Sequence, residues 1–348
     1  MFAQTKHRFL VLMVLFSAVI RAYCDYLTDG NAQYFKRDYD GAIASFTKAI
    51  EIDESNYVAF CFRALAKQDK GDLDGALADY DRTIVLNGTY SLAYNNRGNV
   101  KRRKKDFAGS IADFTKAIEL KPDYADAYYN RGMVKRAESD FDGAIEDYSK
   151  AIEIKPSYAA VYGNRGSAKK CKGDLSGALE DFNKNIELNP SDAIAFNGRG
   201  LLLLGMGEFE KAKGDFTKAI QINPNYALSS NNRAWACVFL NDYESAITDA
   251  TRAIQLDPKY GYAFGTRGWA RYGKGDVTGA LEDLKKAVQF EGVDTLDAAG
   301  DQGMYEFIQG NYEKSIALWE KAIQQDVSVK KLLDPWIEKA KTKQSSAK

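Results

Sequence analysis

The stretch Gly41-Ala-Ile-Ala-Ser-Phe-Thr-Lys-Ala-Ile50 decides the fold, because variants of it return at Gly75, Gly109, Gly143, Gly177, Lys211, Ser245 and Gly279, always 34 residues on. A ninth copy, starting at Lys314, follows after 35. A fixed period of this size predicts one supersecondary unit stacked many times, each copy too small to bury its apolar face alone. In the fourth copy Ala144, Tyr148 and Ala151 recur at helical spacing. Ser139-Asp140-Phe141-Asp142 supplies a turn with capping acids before that stretch, and Pro156 closes it, so each unit reads as a helix hairpin.

Small residues fall where two helix backbones must approach. They are Gly30, Gly98, Gly132, Gly166, Gly200, Gly268 and Gly303 on the first helix, with Ala64 and Ala234 in the other two units. The facing place on the second helix holds Ala42, Ala76, Ser110, Ala144, Ala178, Ala212, Ala246, Ala280 or Ser315. Bulky side chains such as Phe46, Tyr80, Phe114, Phe182 and Phe216 fill the space one turn later. Arginine precedes the small first-helix residue at Arg63, Arg97, Arg131, Arg165, Arg199, Arg233 and Arg267. Aspartate recurs in step on the second helix at Asp79, Asp113, Asp147, Asp181, Asp215, Asp249 and Asp283. One opposite pair per unit predicts an Arg-Asp ladder with a structural role, since a guanidinium fork tolerates partial burial.

This pattern resembles the tetratricopeptide repeat family in period, small residue, alanine, aromatic and closing proline. Pro122, Pro156, Pro190, Pro224 and Pro258 match the closing position, while Glu54, Gly88, Gly292 and Val327 depart from it. The resemblance implies an all-α fold, a right-handed superhelical solenoid of about nine hairpins over residues 23–327. Residues 328–348 read as a C-terminal capping helix and tail, with Asp334-Pro335 as N-cap and first turn.

The 348 residues carry 48 basic and 48 acidic side chains, which argues against a general nucleic-acid binder. Lys6-His7-Arg8, then twelve uncharged and largely apolar residues from Phe9 to Ile20, then small residues up to Ala22, read as a signal peptide over residues 1–22. The apolar run is too short to span a membrane, so the expectation is an exported protein with no stable span after cleavage, periplasmic in preference to secreted. Asn87-Gly88-Thr89 is an acceptor sequon that would matter in a eukaryotic host. The one histidine, His7, lies in the segment expected to leave. Without it there is no Ser-His-Asp triad, no Cys-His dyad and no histidine-bearing metal site, and the expectation is a non-enzyme with no cofactor or metal. Ser167-Ala-Lys-Lys170 and the Gly-x-Gly pairs at Gly198 and Gly273 lack the context their motifs require. Cys24, Cys61, Cys171 and Cys237 have no paired spacing and read as free, small apolar fillers.

The family resemblance further implies that first helices line a concave groove that holds a protein or peptide segment. Carried over unit by unit, the groove residues are Asn96, Asn130, Asn164 and Asn232, with Asn95, Asn99, Asn197 and Asn231 beside them. Repeated asparagine is similar to the amide ladder of the O-linked N-acetylglucosamine transferase superhelix, which grips a peptide main chain. Solvation of an exposed face is the other reading of the same residues. Arg102, Arg103, Arg136 and Lys170 add positive charge, which also complements helix C-termini. Trp235, Phe239, Trp269 and Tyr272 are expected exposed on the inside of the curve. The expected partner is acidic with an apolar anchor. The alternative is a self-assembling or enzyme-associated scaffold that uses its terminal faces.

Overall fold

The computed structural model describes residues 21–291, 296–325 and 329–346. Most of the segment read as a signal, residues 1–20, lies outside the described residues. Nineteen helices and no strand are present among the described residues. Two compact units divide the chain, Met1–Ala168 and Lys169–Lys348. The first holds α1 (residues 21–35), α2 (Tyr39–Ile52), α3 (Tyr57–Lys70), α4 (Leu73–Leu86), α5 (Ser91–Arg103), α6 (Phe107–Leu120), α7 (Ala125–Ala137), α8 (Phe141–Ile154) and most of α9 (Ala159–Cys171). The second holds α10 (Leu175–Leu188), α11 (Ala193–Gly205), α12 (Phe209–Ile222), α13 (Ala227–Phe239), α14 (Tyr243–Leu256), α15 (Gly261–Lys274), α16 (Val277–Glu291), α17 (Leu296–Ile308), α18 (Tyr312–Gln325) and α19 (Lys330–Ser346). Odd-numbered helices through α17 are first helices and even-numbered ones through α18 are second helices.

Each hairpin turn is written into the sequence. Second helices start on an aspartate whose Oδ1 accepts the N–H three residues on, as from Gly75 to Asp72 at 2.9 Å and from Gly143 to Asp140 at 2.9 Å. The carboxylate lies so close to that residue that a Cβ there would overlap it, which is why the repeated string opens with glycine. In the sixth hairpin Glu208 replaces the aspartate, makes no side-chain cap, and Lys211 replaces the glycine, whereas the seventh keeps the Asp242 cap on Ser245 with a longer bond of 3.3 Å. The turn just before the cap is left-handed in every hairpin: Gly71, Gly173, Gly207, Gly275 and Gly310 adopt positive φ there, as do Arg37, Lys105, Ser139 and Asn241. At the other end of the second helix, Pro122 and Pro156 directly follow the C-cap residues Lys121 and Lys155, where the helix cannot continue.

Inside a hairpin the helices meet at the small residues. A Cβ on Gly132 would stand 2.8 Å from the Tyr148 ring, and on Gly98 2.8 Å from Phe114. Tyr148 and Phe114 are themselves fully buried, so neither ring can yield. Cys61 and Cys237 are buried as apolar fillers, with burial pushing their thiols up to about 12 and about 11. Cys24 and Cys171 are exposed, which corrects the filler reading for those two.

Polar locks sit beside this apolar seam. Arg131 on α7 donates from Nε and Nη2 to the two carboxylate oxygens of Asp147 on α8, at 2.9 and 2.7 Å. Its Nη1 turns back to Thr115 Oγ1 on α6, at 3.0 Å. One side chain thus ties three successive helices, reaching 16 residues forward and 16 back. The same fork joins Arg63 to Asp79 and Thr47, and Arg97 to Asp113 and Asp81, in the first unit. In the second it joins Arg199 to Asp215 and Asn183, Arg233 to Asp249 and Thr217, and Arg267 to Asp283 and Thr251. Lys135 adds a second cation to Asp147 at 2.9 Å, one helical turn beyond the arginine. Burial works against the charge on Arg131, yet hydrogen bonds to Asp147 and its negative charge outweigh this and hold the guanidinium pKa above its ordinary value.

The last helix departs from expectation. α19 begins at Lys330, so Asp334-Pro335 is not its N-cap, and Pro335 lies inside the helix. Leu333, Ile337 and Ala340 are buried in one stripe at i, i+4 and i+7, and this apolar burial offsets the backbone hydrogen bond that proline removes.

Arg131→Ala leaves the nearly buried Asp147 carboxylate without its fork and should cost about 3–5 kcal/mol in denaturant unfolding. Lys150→Ala, at the exposed Lys150–Glu153 pair, should leave the unfolding midpoint essentially unchanged in the same measurement.

Candidate functional site: the first-helix face

Asparagines on the first helices bond to one another from unit to unit. Asn130 Nδ2 on α7 donates to Asn95 Oδ1 on α5 at 3.0 Å. Asn164 Nδ2 on α9 donates to the Tyr129 hydroxyl on α7 at 3.2 Å, and Asn232 Nδ2 on α13 donates to Asn197 Oδ1 on α11 at 2.9 Å. Every one of these rungs spans 35 residues, one repeat plus one position. Asn95 and Asn197 are buried, and both are further engaged, by Asn96 and by the Ser229 hydroxyl. These amides therefore bridge neighbouring first helices. A buried amide must find partners, and the nearest are on the adjacent first helix.

The rule predicts the next rung in the second unit at Asn231 on α13 and position 266 on α15. Position 266 is threonine, whose side chain is shorter than asparagine and carries no amide. Asn231 is only 6% exposed and its Oδ1 accepts no hydrogen bond. One position further, Asp301 on α17 packs against Gly265, where a Cβ would overlap the carboxylate, and accepts the Trp269 indole N–H at 2.7 Å. A cavity of about 560 Å³ opens at this break, with Asn231, Trp235, Thr266 and Asp301 in its wall and leucines 201, 204 and 228 among its apolar lining.

The aromatic residues beside it are arranged differently from expectation. Trp269 is 4% exposed rather than open, packed edge-on to Trp235 at 5.5 Å and to Trp336 of α19 at 5.2 Å. Tyr272 is half-buried against Phe307 and Trp336. Phe239 is half-buried, stacked on Phe209 and edge-on to Trp235. The C-terminal helix thus covers part of the face that the sequence reading left open. Thr266, Asp301 and Trp336 were not among the expected site residues; the 35-residue register alone would have singled out position 266.

In the first unit the face is basic. Arg102 and Arg136 are half-buried, and the Nε of each is buried without a hydrogen-bond acceptor. Both charges act on Tyr129, whose hydroxyl burial pushes upward while the two arginines oppose the rise. Tyr148 on α8, pushed up to about 12 by burial against the opposing charge and hydrogen bonding of Arg136, closes the same cluster. Arg103 is exposed and donates to the Gln68 carbonyl at 2.7 Å, while Asn99 is half-buried and Lys170 exposed. Among the described residues no group of three His, Cys, Asp or Glu side chains is placed to hold a metal ion, and no helix is long and apolar enough to cross a membrane.

Asn95→Ala should lower stability by about 0.5–1.5 kcal/mol in urea unfolding, because it removes the hydrogen bond from the half-buried Asn130 to the buried Asn95. Asn99→Ala, at a half-buried site outside the rungs, should change it by less than about 0.5 kcal/mol.

Models of the tetratricopeptide repeat match residues 27–56, 125–158, 193–226 and 231–292, and a TPR repeat model matches 98–136, together more than half of the chain. A tetratricopeptide repeat protein from Parabacteroides merdae is similar at 18% identity over 72% of this chain and 99% of that one, with TM-score 0.57. The APC/C hetero-tetramer Cut9-Hcn1 is similar at 16% identity over 79% and 54%, with TM-score 0.59. A solved MamA protein shares 30% identity over 49% of this chain and 94% of that one, with TM-score 0.44. No curated protein matches the chain by sequence. The 34-residue period, the helix hairpins and these family matches agree, and the chain belongs to the tetratricopeptide repeat family, whose arrays are scaffolds for protein–protein interaction.

Proposed function

We propose that the protein is an exported, non-enzymatic adaptor that holds an extended segment of a partner protein on its first-helix face. The observation that carries this is the pair Arg102 and Arg136 in the first unit, whose buried Nε donors have no acceptor and which, unlike the repeat arginines, fork onto no aspartate. A carboxylate on the partner would satisfy them with charge-assisted hydrogen bonds. The forks elsewhere spend their arginines on fixed aspartates, so this cluster is where the face has binding capacity left. An acidic segment is the fitting partner in this unit. Export is supported by the basic, apolar and small-residue order of residues 6–22.

A peptide array probed with the chain should show preference for acidic segments, with affinity falling steeply as salt rises. Arg102→Glu with Arg136→Glu should remove that preference while circular dichroism stays helical. Acidic peptides retained equally by the double variant would exclude this face as their site. A solution mass that rises with concentration through the terminal helices, with no peptide bound, would favour the self-assembling scaffold instead. Mass analysis of the exported chain should find Tyr23 first.

A further inference from the structure

Among the described residues Asn231 is a ladder acceptor in the second unit that the fold leaves unsatisfied, and the reason is a single substitution in register. At Asn197 the +35 residue is Asn232, and its amide donates at 2.9 Å. At Asn231 the +35 residue is Thr266, and the acceptor has no hydrogen bond although the residue is 94% buried. A buried, unsatisfied amide oxygen carries an energetic penalty that a bound donor would remove. The penalty falls in the wall of the 560 Å³ cavity, within the size range of about 300–1,000 Å³ for sites that take a ligand-sized group.

We propose that this cavity receives a tryptophan side chain of the partner, its indole N–H donating to Asn231 Oδ1 in place of the amide that position 266 lacks. The proposal rests on reading the first-helix face as the binding face. Tryptophan fits on three counts. The walls are mainly apolar, with Leu201, Leu204, Leu228 and Trp235, which suit a large flat ring. The open group is an acceptor, and indole is a donor only and carries no charge. A lysine or arginine would lose hydration among those leucines, and an asparagine would leave them unfilled. The same face already pairs the Trp269 indole N–H with Asp301 at 2.7 Å, and in the neighbouring hairpin core Trp319 of α18 donates to the Gly300 carbonyl at 3.0 Å. The broad χ2 torsion of asparagine lets Asn231 turn its oxygen to the incoming donor.

Titration of the full chain with N-acetyl-L-tryptophanamide, followed by NMR, tests this against the analogue methylated on the indole nitrogen. Saturable binding that shifts the Asn231 side-chain amide, and is at least about tenfold weaker for the methylated analogue, is expected. Asn231→Leu should bind both alike. Thr266→Asn should close the rung, raise the melting temperature and weaken binding of the unmethylated probe at least about tenfold. Equal binding of both analogues by the unmodified chain, undiminished binding by Thr266→Asn, or preference for N-acetyl-L-lysinamide would overturn the assignment. So would no binding of the tryptophan probe. If acidic peptides still bind in a manner sensitive to Arg102 and Arg136, such a failure removes this inference alone; if they do not, the reading of the face falls as well.

Discussion

The bidentate bond from each arginine to an aspartate 16 residues ahead is the constraint on which the repeat depends. Apolar packing between hairpins is plastic, since alanine, glycine and rings of similar size could slide by a residue with modest loss. A guanidinium fork cannot slide. Nε and Nη2 of Arg131 must meet both oxygens of Asp147 while Nη1 reaches Thr115, and only one rotation and height of three helices allows all three bonds. The residue 16 behind varies among Thr47, Asp81, Thr115, Ser149, Asn183, Thr217 and Thr251, all able to accept a hydrogen bond. The aspartate does not vary, because only a carboxylate takes the fork with two oxygens.

A second register runs along the first helices, where amides bridge at 35 residues. It shares with the forks the property that each side chain is committed to the adjacent unit. Together they leave few polar groups for anything else, and the exceptions become informative. In the first unit these are the buried Nε atoms of Arg102 and Arg136 and the Tyr148 hydroxyl; in the second the foremost is Asn231. Arg102, Arg136 and Asn231 lie on first helices, where no fixed acid answers a base or where the repeating pattern is broken; Tyr148 on α8 and the Asn185 amide oxygen on α10 belong to second helices.

The fold was legible because its signals are local and repeated: an aspartate cap, a glycine beneath it, a small residue against a ring, a closing proline. The Arg–Asp ladder was legible for the same reason, with fixed opposite charges in step. The asparagines were harder. Their positions were recognised, but an amide can donate and accept toward a ligand, toward water or toward another amide, and the sequence favours none of these until the neighbouring helix is in place. Trp269 was read as open because the repeat position predicts it; α19 comes from outside the period and covers it. That helix was itself misplaced at its start, since Pro335 suggested a boundary that the buried stripe of Leu333, Ile337 and Ala340 overrides.

First-helix amides are joined at Asn197 and unjoined at Asn231. Double-mutant cycles on the two pairs, each measured by denaturant unfolding with alanine at one and then both positions, test this contrast directly. A coupling of about 1 kcal/mol between Asn197 and Asn232, with a value near zero between Asn231 and Thr266, is the predicted result. Equal coupling in the two pairs would mean that the ladder is unbroken and that Asn231 has no acceptor to offer.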